Sequence, residues 1–456
     1  MTGMKLSGWL LRIALIAMIA VSFVFTWLIW QNPSRLGHQE ATVTTKRKAD
    51  PDVAKNASTV FSPTTAYYQQ QDQKTWLFTP DDNVTLDIQT AMRDWRLGTV
   101  TNGGKLTSSE YNALLSTNDS LQLLYADKMA YRVFNARFFA KKATATNTDF
   151  TFNRLLFSLS GHTGQLVFIN DETRTIHTGK LTHGSLDALQ RLVKQSAATG
   201  KPVTERRLAN GRQIPLFTGR IALQPYVYLL DQQSANHYVS LLMPSTAASA
   251  VDSREIGADT VYTAGDDYRL TLDTDTDVLQ FDDTGILAPA KDLATNLNKA
   301  YTALGSLDLL GLNSMRYDRY DSSTKTVTYR SYAQGLPIFN RDYYGRVTVA
   351  GTSSGQQMFF STNNLTVPIP TTQNATTLPA TQAVLDHLQS IGYDADAIED
   401  VVIGYYWGKQ DENSQVVNLT PTYFVEIGGT YRRYNQWQGP STDTKKAASA
   451  TTAEEE

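Results

Sequence analysis

Residues 13–30 read IALIAMIAVSFVFTWLIW, eighteen positions without a charge. That length reaches the threshold for a helix that spans a bilayer. Trp9 stands before the run, and Trp27 and Trp30 close it. At a helical rise of ~1.5 Å per residue, Trp9 and Trp30 stand roughly 31 Å apart. The hydrocarbon core is about 30 Å thick, and indole rings favour its two interfaces. The tryptophans therefore fall where membrane anchors belong. A cleaved signal peptide is the alternative. The run is longer than an ordinary signal core, and it ends in bulky residues instead of a small-residue cleavage site. Lys5 and Arg12 precede it, while Arg35, Lys46, Arg47 and Lys48 follow. A short tail is easily left behind while a large domain translocates, so the expectation is a cytoplasmic N-terminus and an extracellular bulk. Ala14, Ala17 and Ala20 place small side chains at three-residue spacing, which permits close approach of a second helix. Alanine is also simply common in membrane helices.

Outside this segment the chain is a globular sequence. Its 456 residues suggest two to four domains. With 41% hydrophobic residues, 23 Tyr, 17 Phe and 7 Trp, it has material for real cores and does not read as disordered. A net charge of −3 gives no footprint for nucleic acid. The absence of cysteine removes disulfides, thiolate metal sites and cysteine nucleophiles together. A cysteine-free ectodomain fits a bacterium without strong disulfide machinery.

The expected organisation is a cytoplasmic tail at 1–8, a transmembrane helix at 9–30 and a polar linker at 31–60. An N-terminal α+β ectodomain follows at 61–245. Two further α+β subdomains are expected at 254–365 and 379–438, and a low-complexity tail at 441–456. The 366–378 segment, with Pro368 and Pro370, reads as a second linker. Within the first block, residues 84–95 and 185–196 carry helical periodicity. Thr107-Ser108-Ser109-Glu110 is a capping-box pattern opening another helix. Residues 129–138 and 238–243 read as strands, and Asn210-Gly211 marks a hairpin. In the later blocks, helices at 290–304 and 380–391 each precede Tyr-rich strands, a weak internal repeat. The fold class is α+β: one N-terminal transmembrane helix plus extracellular antiparallel sheets with packed helices.

Chemistry is sparse. The six histidines (His38, His162, His177, His183, His237, His387) show no metal-ligand spacing. Asp273-Thr274-Asp275-Thr276-Asp277 begins like a calcium loop, but Val278 stands where the turn needs glycine and Thr284 where a bidentate glutamate belongs. There is no nucleophile elbow, phosphate loop or dinucleotide fingerprint. The carboxylate pairs Asp266-Asp267, Asp282-Asp283 and Glu399-Asp400 could serve a glycosidase, as could pairs in any acidic domain. The tyrosines Tyr317, Tyr320, Tyr329, Tyr332, Tyr343, Tyr344, Tyr405 and Tyr406 suit a peptide or sugar platform, or equally the half-buried faces of sheets. No catalytic, cofactor or metal residue is assigned. The site residues are those of membrane contact: Trp9, Ala14, Ala17, Ala20, Trp27 and Trp30.

Four stretches resemble the YycH (WalH) family: KLSGWLLRIALIAMIAVSFVFTWLIWQNPSR from Lys5, TWLFTPDDNVTLDIQTAMRDWRLG from Thr75, LDLLGLNSMRYDRYDSS from Leu307, and GLPIFN from Gly335. The resemblance implies a single-pass membrane protein of low-GC Gram-positive bacteria. Such a protein acts with a YycI-like partner to modulate the sensor histidine kinase YycG/WalK of the YycFG (WalKR) system, which controls cell-wall metabolism. It also implies an ectodomain of several α+β subdomains, no enzyme activity and no cofactor.

Overall fold

The computed structural model describes Met18 and residues 57–440, except 80–82, 142–148, 161–163, 183–185, 245–250, 286–290, 308, 310–313, 341–342, 371–372 and 410–414. The expected anchor residues Trp9, Ala14, Ala17, Ala20, Trp27 and Trp30 lie outside the described residues, as do the 1–8 tail and residues 441–456. Among the described residues, no helix is long and apolar enough to cross a membrane. The chain divides into units Met1–Asp50 and Pro51–Glu456, and the second is described below.

The first sheet has nine antiparallel strands. They are β1 (Thr65–Gln70), β2 (Gln73–Trp76), β3 (Arg96–Lys105), β4 (Ser120–Ala130), β5 (Thr151–Ser158), β6 (Gly164–Asn170), β7 (Thr175–Thr182), β8 (Lys201–Arg207) and β9 (Gln213–Phe217). Their order is β3-β7-β6-β5-β4-β1-β2-β8-β9. The pairings Leu121↔Phe157 and Leu123↔Leu155 put four apolar side chains on one face, and Leu155↔Phe168 and Phe157↔Leu166 extend it. Helices α1 (Val84–Met92) and α4 (Asp187–Thr199) contribute to the same core through Ile88, Met92, Leu189 and Val193. Helix α2 (Ser108–Leu115) begins with the expected capping box: the Thr107 hydroxyl accepts from the Glu110 amide while the Glu110 carboxylate accepts from the Thr107 amide. It buries Tyr111 and Leu115 against Leu156, Val167 and Ile169.

Two segments expected as strands are helices. Strand β4 stops at Ala130 and α3 runs Tyr131–Arg137. The aromatic content of 129–138 suits a strand, but Phe134 and Phe138 are four apart and stack at 4.7 Å, while Tyr131 stacks on Phe150 at 4.7 Å. Of residues 238–243, all but the C-cap Met243 fall in α5 (Ala235–Leu242), whose N-cap Ser234 accepts from the His237 amide.

The remaining strands are β10 (Ile221–Leu223), β11 (Tyr226–Gln232), β12 (Asp252–Ile256), β13 (Asp259–Ala264), β14 (Tyr268–Asp273), β15 (Val278–Asp283), β16 (Met315–Asp321), β17 (Thr326–Ala333), β18 (Leu336–Phe339), β19 (Arg346–Thr352), β20 (Gly355–Ser361), β21 (Asn363–Ile369), β22 (Thr376–Leu378), β23 (Asp400–Lys409), β24 (Val416–Ile427) and β25 (Thr430–Arg433). Helices α6 (Leu293–Gly305) and α7 (Thr381–Ser390) precede the two groups of long strands. Strands β10 and β22 form a small pair, and β22 with the end of β21 falls within the 366–378 segment expected as a linker. The others form one fourteen-stranded sheet, ordered β12-β13-β14-β15-β20-β19-β17-β18-β23-β24-β11-β21, with β16 on β17 and β25 on β24. All its ladders are antiparallel except β18–β23, a short parallel seam registering Ile338↔Tyr405 and Phe339↔Tyr406. At Gly404, an added Cβ would meet the Pro337 carbonyl at 2.6 Å, so the seam's close approach requires glycine there. Mixed α+β structure with antiparallel sheets is thus observed. The sheet draws strands from all three expected blocks.

Candidate functional site

A cleft of about 570 Å³ opens where the second face of the first sheet meets β16, β18, β23 and β25. Beneath its floor lies a buried charge cluster that reaches the cleft only through Asp171. Alternation along β5 turns Arg154 to this face, opposite the Leu155 and Phe157 side. Arg154 is fully buried and pairs with Asp171 at 2.9 Å and Glu205 at 2.6 Å. Lys74 on β2 also binds Glu205, and Tyr111 donates to Asp171 at 2.8 Å. Burial opposes the Glu205 anion, but the charges and hydrogen bonds of Arg154 and Lys74 outweigh it and hold the carboxyl at about 2. Burial pushes the Lys74 ammonium below its ordinary range against the pull of Glu205.

The opposite wall carries a second cluster that is reached by solvent. Arg212, which follows the Asn210-Gly211 turn, donates to Asp400 at the start of β23 at 2.6 Å. Asp400 also accepts from the Tyr431 hydroxyl at 2.7 Å and the Val401 amide at 2.8 Å. Arg319 on β16 grips both carboxylate oxygens of Glu426 on β24 and donates to the Tyr431 hydroxyl at 2.9 Å. Arg330 pairs with Asp318 at 2.9 Å and lies 4.0 Å over the Phe339 ring. Burial, then the neighbouring Asp400 charge, raises the Tyr431 hydroxyl well above its ordinary range. Straps cross the cleft: the Tyr320 amide donates to Asp127 at 2.8 Å, and the Tyr317 hydroxyl to the Lys128 carbonyl at 2.9 Å.

Seven carboxylates and three cations line the cleft. Asp127 and Glu399 accept backbone N–H bonds, from Tyr320 and Gly429 respectively. Neither has an ion-pair partner among the described residues. Trp76, Tyr320, Tyr332 and Phe339 add aromatic surface. Polar anchors set in a partly apolar concavity of this size match the usual form of a ligand site. Asp400 is engaged by Arg212 and Tyr431 and Glu426 by Arg319, while the two arginines stay partly open to solvent.

A family profile described as "YycH protein, N-terminal domain" matches residues 11–198, and one described as "YycH protein, C-terminal domain" matches residues 216–438. The chain belongs to the YycH family. The fold agrees with that of a YycH crystal structure from Bacillus subtilis, with a TM-score of 0.67 over 88% of this chain and 100% of that one at 13% identity. No curated protein sequence matches the chain. In this YycH-family chain the cleft draws residues from both matched regions, and Arg212 comes from the stretch between them.

Of the carboxylate pairs noted in the sequence, Glu399-Asp400 lines the cleft and the other two do not. Asp273 holds the β14–β15 turn by accepting the Asp275 and Thr276 amides. Tyr320 and Tyr332 reach the cleft, while Tyr317, Tyr329 and Tyr405 are buried. His177 stacks on Phe150 at 3.7 Å and His387 packs beside Tyr434, both away from the cleft. The sequence reading missed Arg154, Glu205, Arg212, Arg319, Glu426 and Tyr431. A charge set inside an apolar strand, as in TFNRLLFS or TYFVEI, was the available signal.

Proposed function

We propose that this protein is an accessory regulator of the YycFG two-component system. In this reading it is anchored by residues 9–30 and acts together with a YycI-like protein on the sensor kinase YycG/WalK through transmembrane and extracellular contacts. The observation that carries the reading is the match of both YycH domains over 11–198 and 216–438. The uncharged, tryptophan-flanked 13–30 run supports the anchor, and Ala14, Ala17 and Ala20 supply the contact stripe. The mechanism is differential binding: a partner that contacts one signalling state of the kinase better shifts its population. A coupling of ~1–3 kcal/mol suffices for strong regulation. Replacing 9–30 with an unrelated membrane helix abolishes regulation in cells while leaving the protein at the surface; retained regulation would remove helix contact from the account.

The cleft favours a second role, an ectodomain that receives a cell-wall or peptide ligand. The substitutions Asp127→Asn and Glu399→Gln in the full-length protein alter kinase output if the cleft is a receiver, and leave it unchanged if the ectodomain only holds the complex in register.

A further inference from the structure

A second cavity, of about 30 Å³, lies in the long sheet among residues of β17, β19, β21 and β23. Arg346 on β19, Asn363 on β21 and Trp407 on β23 all line it. Each carries a buried polar atom without a protein hydrogen-bond partner: Arg346 Nε, Asn363 Oδ1 and Trp407 Nε1. Asn363 is 4% exposed and Trp407 1%. Buried polar atoms are almost always satisfied, by protein or by ordered water. Three such atoms on residues that line one small space point to a common occupant.

The donor set decides which. Arg346 Nε and Trp407 Nε1 are donors and need an acceptor. Asn363 Oδ1 is an acceptor and needs a donor. Its amide cannot be turned round, because Nδ2 donates to the Asp277 carboxylate at 3.2 Å and to Ser361 Oγ at 3.4 Å. A cation is opposed by Arg346, and a halide by the Asn363 oxygen. Water accepts two hydrogen bonds and donates two, and this volume suits one or two waters. We propose that a fixed water is built into this cavity, accepting from Arg346 and Trp407 and donating to Asn363. It ties β19, β21 and β23 together where the direct ladder between β18 and β23 is only two residue pairs long. It also gives the Arg346 guanidinium, which burial pushes below its ordinary range and Tyr343 covers at 3.8 Å, a dipole to face. The inference does not depend on the regulatory reading.

The test is a high-resolution crystal structure of the full-length protein in detergent with bromide replacing chloride. The expected result is spherical density within hydrogen-bond distance of all three atoms and no bromine anomalous signal. Bromide at the site, no density there, or direct protein partners for the three atoms each overturns the proposal. A second readout uses ¹⁵N-tryptophan-labelled full-length protein. The Trp407 indole resonance, assigned by its loss in Trp407→Phe, should show cross-relaxation with a long-lived water, and its absence counts against the site. Should that variant fail to fold, the crystallographic result decides.

Discussion

The two charge clusters of the cleft differ in one respect that sorts structure from function. On the floor, Arg154, Asp171, Glu205 and Lys74 are almost wholly excluded from water, and every charge faces an opposite one. On the opposite wall, Arg212 and Arg319 are each 28% exposed at the side chain, while their partners Asp400 and Glu426 are nearly buried. A sealed cluster cannot exchange partners without opening the sheet. A half-exposed one can turn an arginine toward a ligand more readily, because the guanidinium already meets water and Asp400 keeps its bonds from Tyr431 and Val401. The floor is therefore read as architecture and the wall as the side available to a ligand.

The largest effect comes from breaking the floor. Arg154→Met leaves Asp171 and Glu205 buried without their shared cation and lowers stability by about 3–5 kcal/mol, read as a drop in urea midpoint. A loss below about 1 kcal/mol would erase the contrast between the clusters.

Acid should find the floor next. Glu205 titrates near 2 in the folded chain and near its ordinary value of 4.5 when unfolded. Between these values the unfolded chain binds a proton that the folded chain does not, so stability falls as pH drops. The contribution is complete above about pH 4.5 and gone below about pH 2, amounting to about 3 kcal/mol. Glu205→Gln flattens that part of the profile of stability against pH.

Gly404→Ala tests the seam that carries the wall. The new Cβ would meet the Pro337 carbonyl, costing about 1–3 kcal/mol. The smallest effect is at the wall itself. Arg212→Met leaves Asp400 its bonds from Tyr431 and Val401 and costs about 1 kcal/mol. A loss as large as that of Arg154→Met would show both clusters to be structural.

Local signals were legible and distant ones were not. The capping box at Thr107 and Glu110 and the Asn210-Gly211 turn sit within a few residues and appear as expected, with Gly211 at φ 84°. Helix α3 was hidden because its face is aromatic, the same composition that favours strands, and only its packing on Phe150 and Phe152 decides the matter. The cleft was invisible for a different reason. Arg319 meets Glu426 across 107 positions, Arg212 meets Asp400 across 188, and Asp127 meets the Tyr320 amide across 193. No spacing rule reaches that far; a charge inside an apolar strand, such as Glu426, signals burial but names no partner.

The central claim is a tethered regulator whose membrane segment meets the kinase complex. The most direct measurement places photocrosslinking residues singly at positions 13–30 in native membranes and identifies the captured chains. The account predicts the sensor kinase and a YycI-like protein, captured from one helical face that includes Ala14, Ala17 and Ala20. Capture of neither, or mature protein lacking residues 9–30, would contradict it.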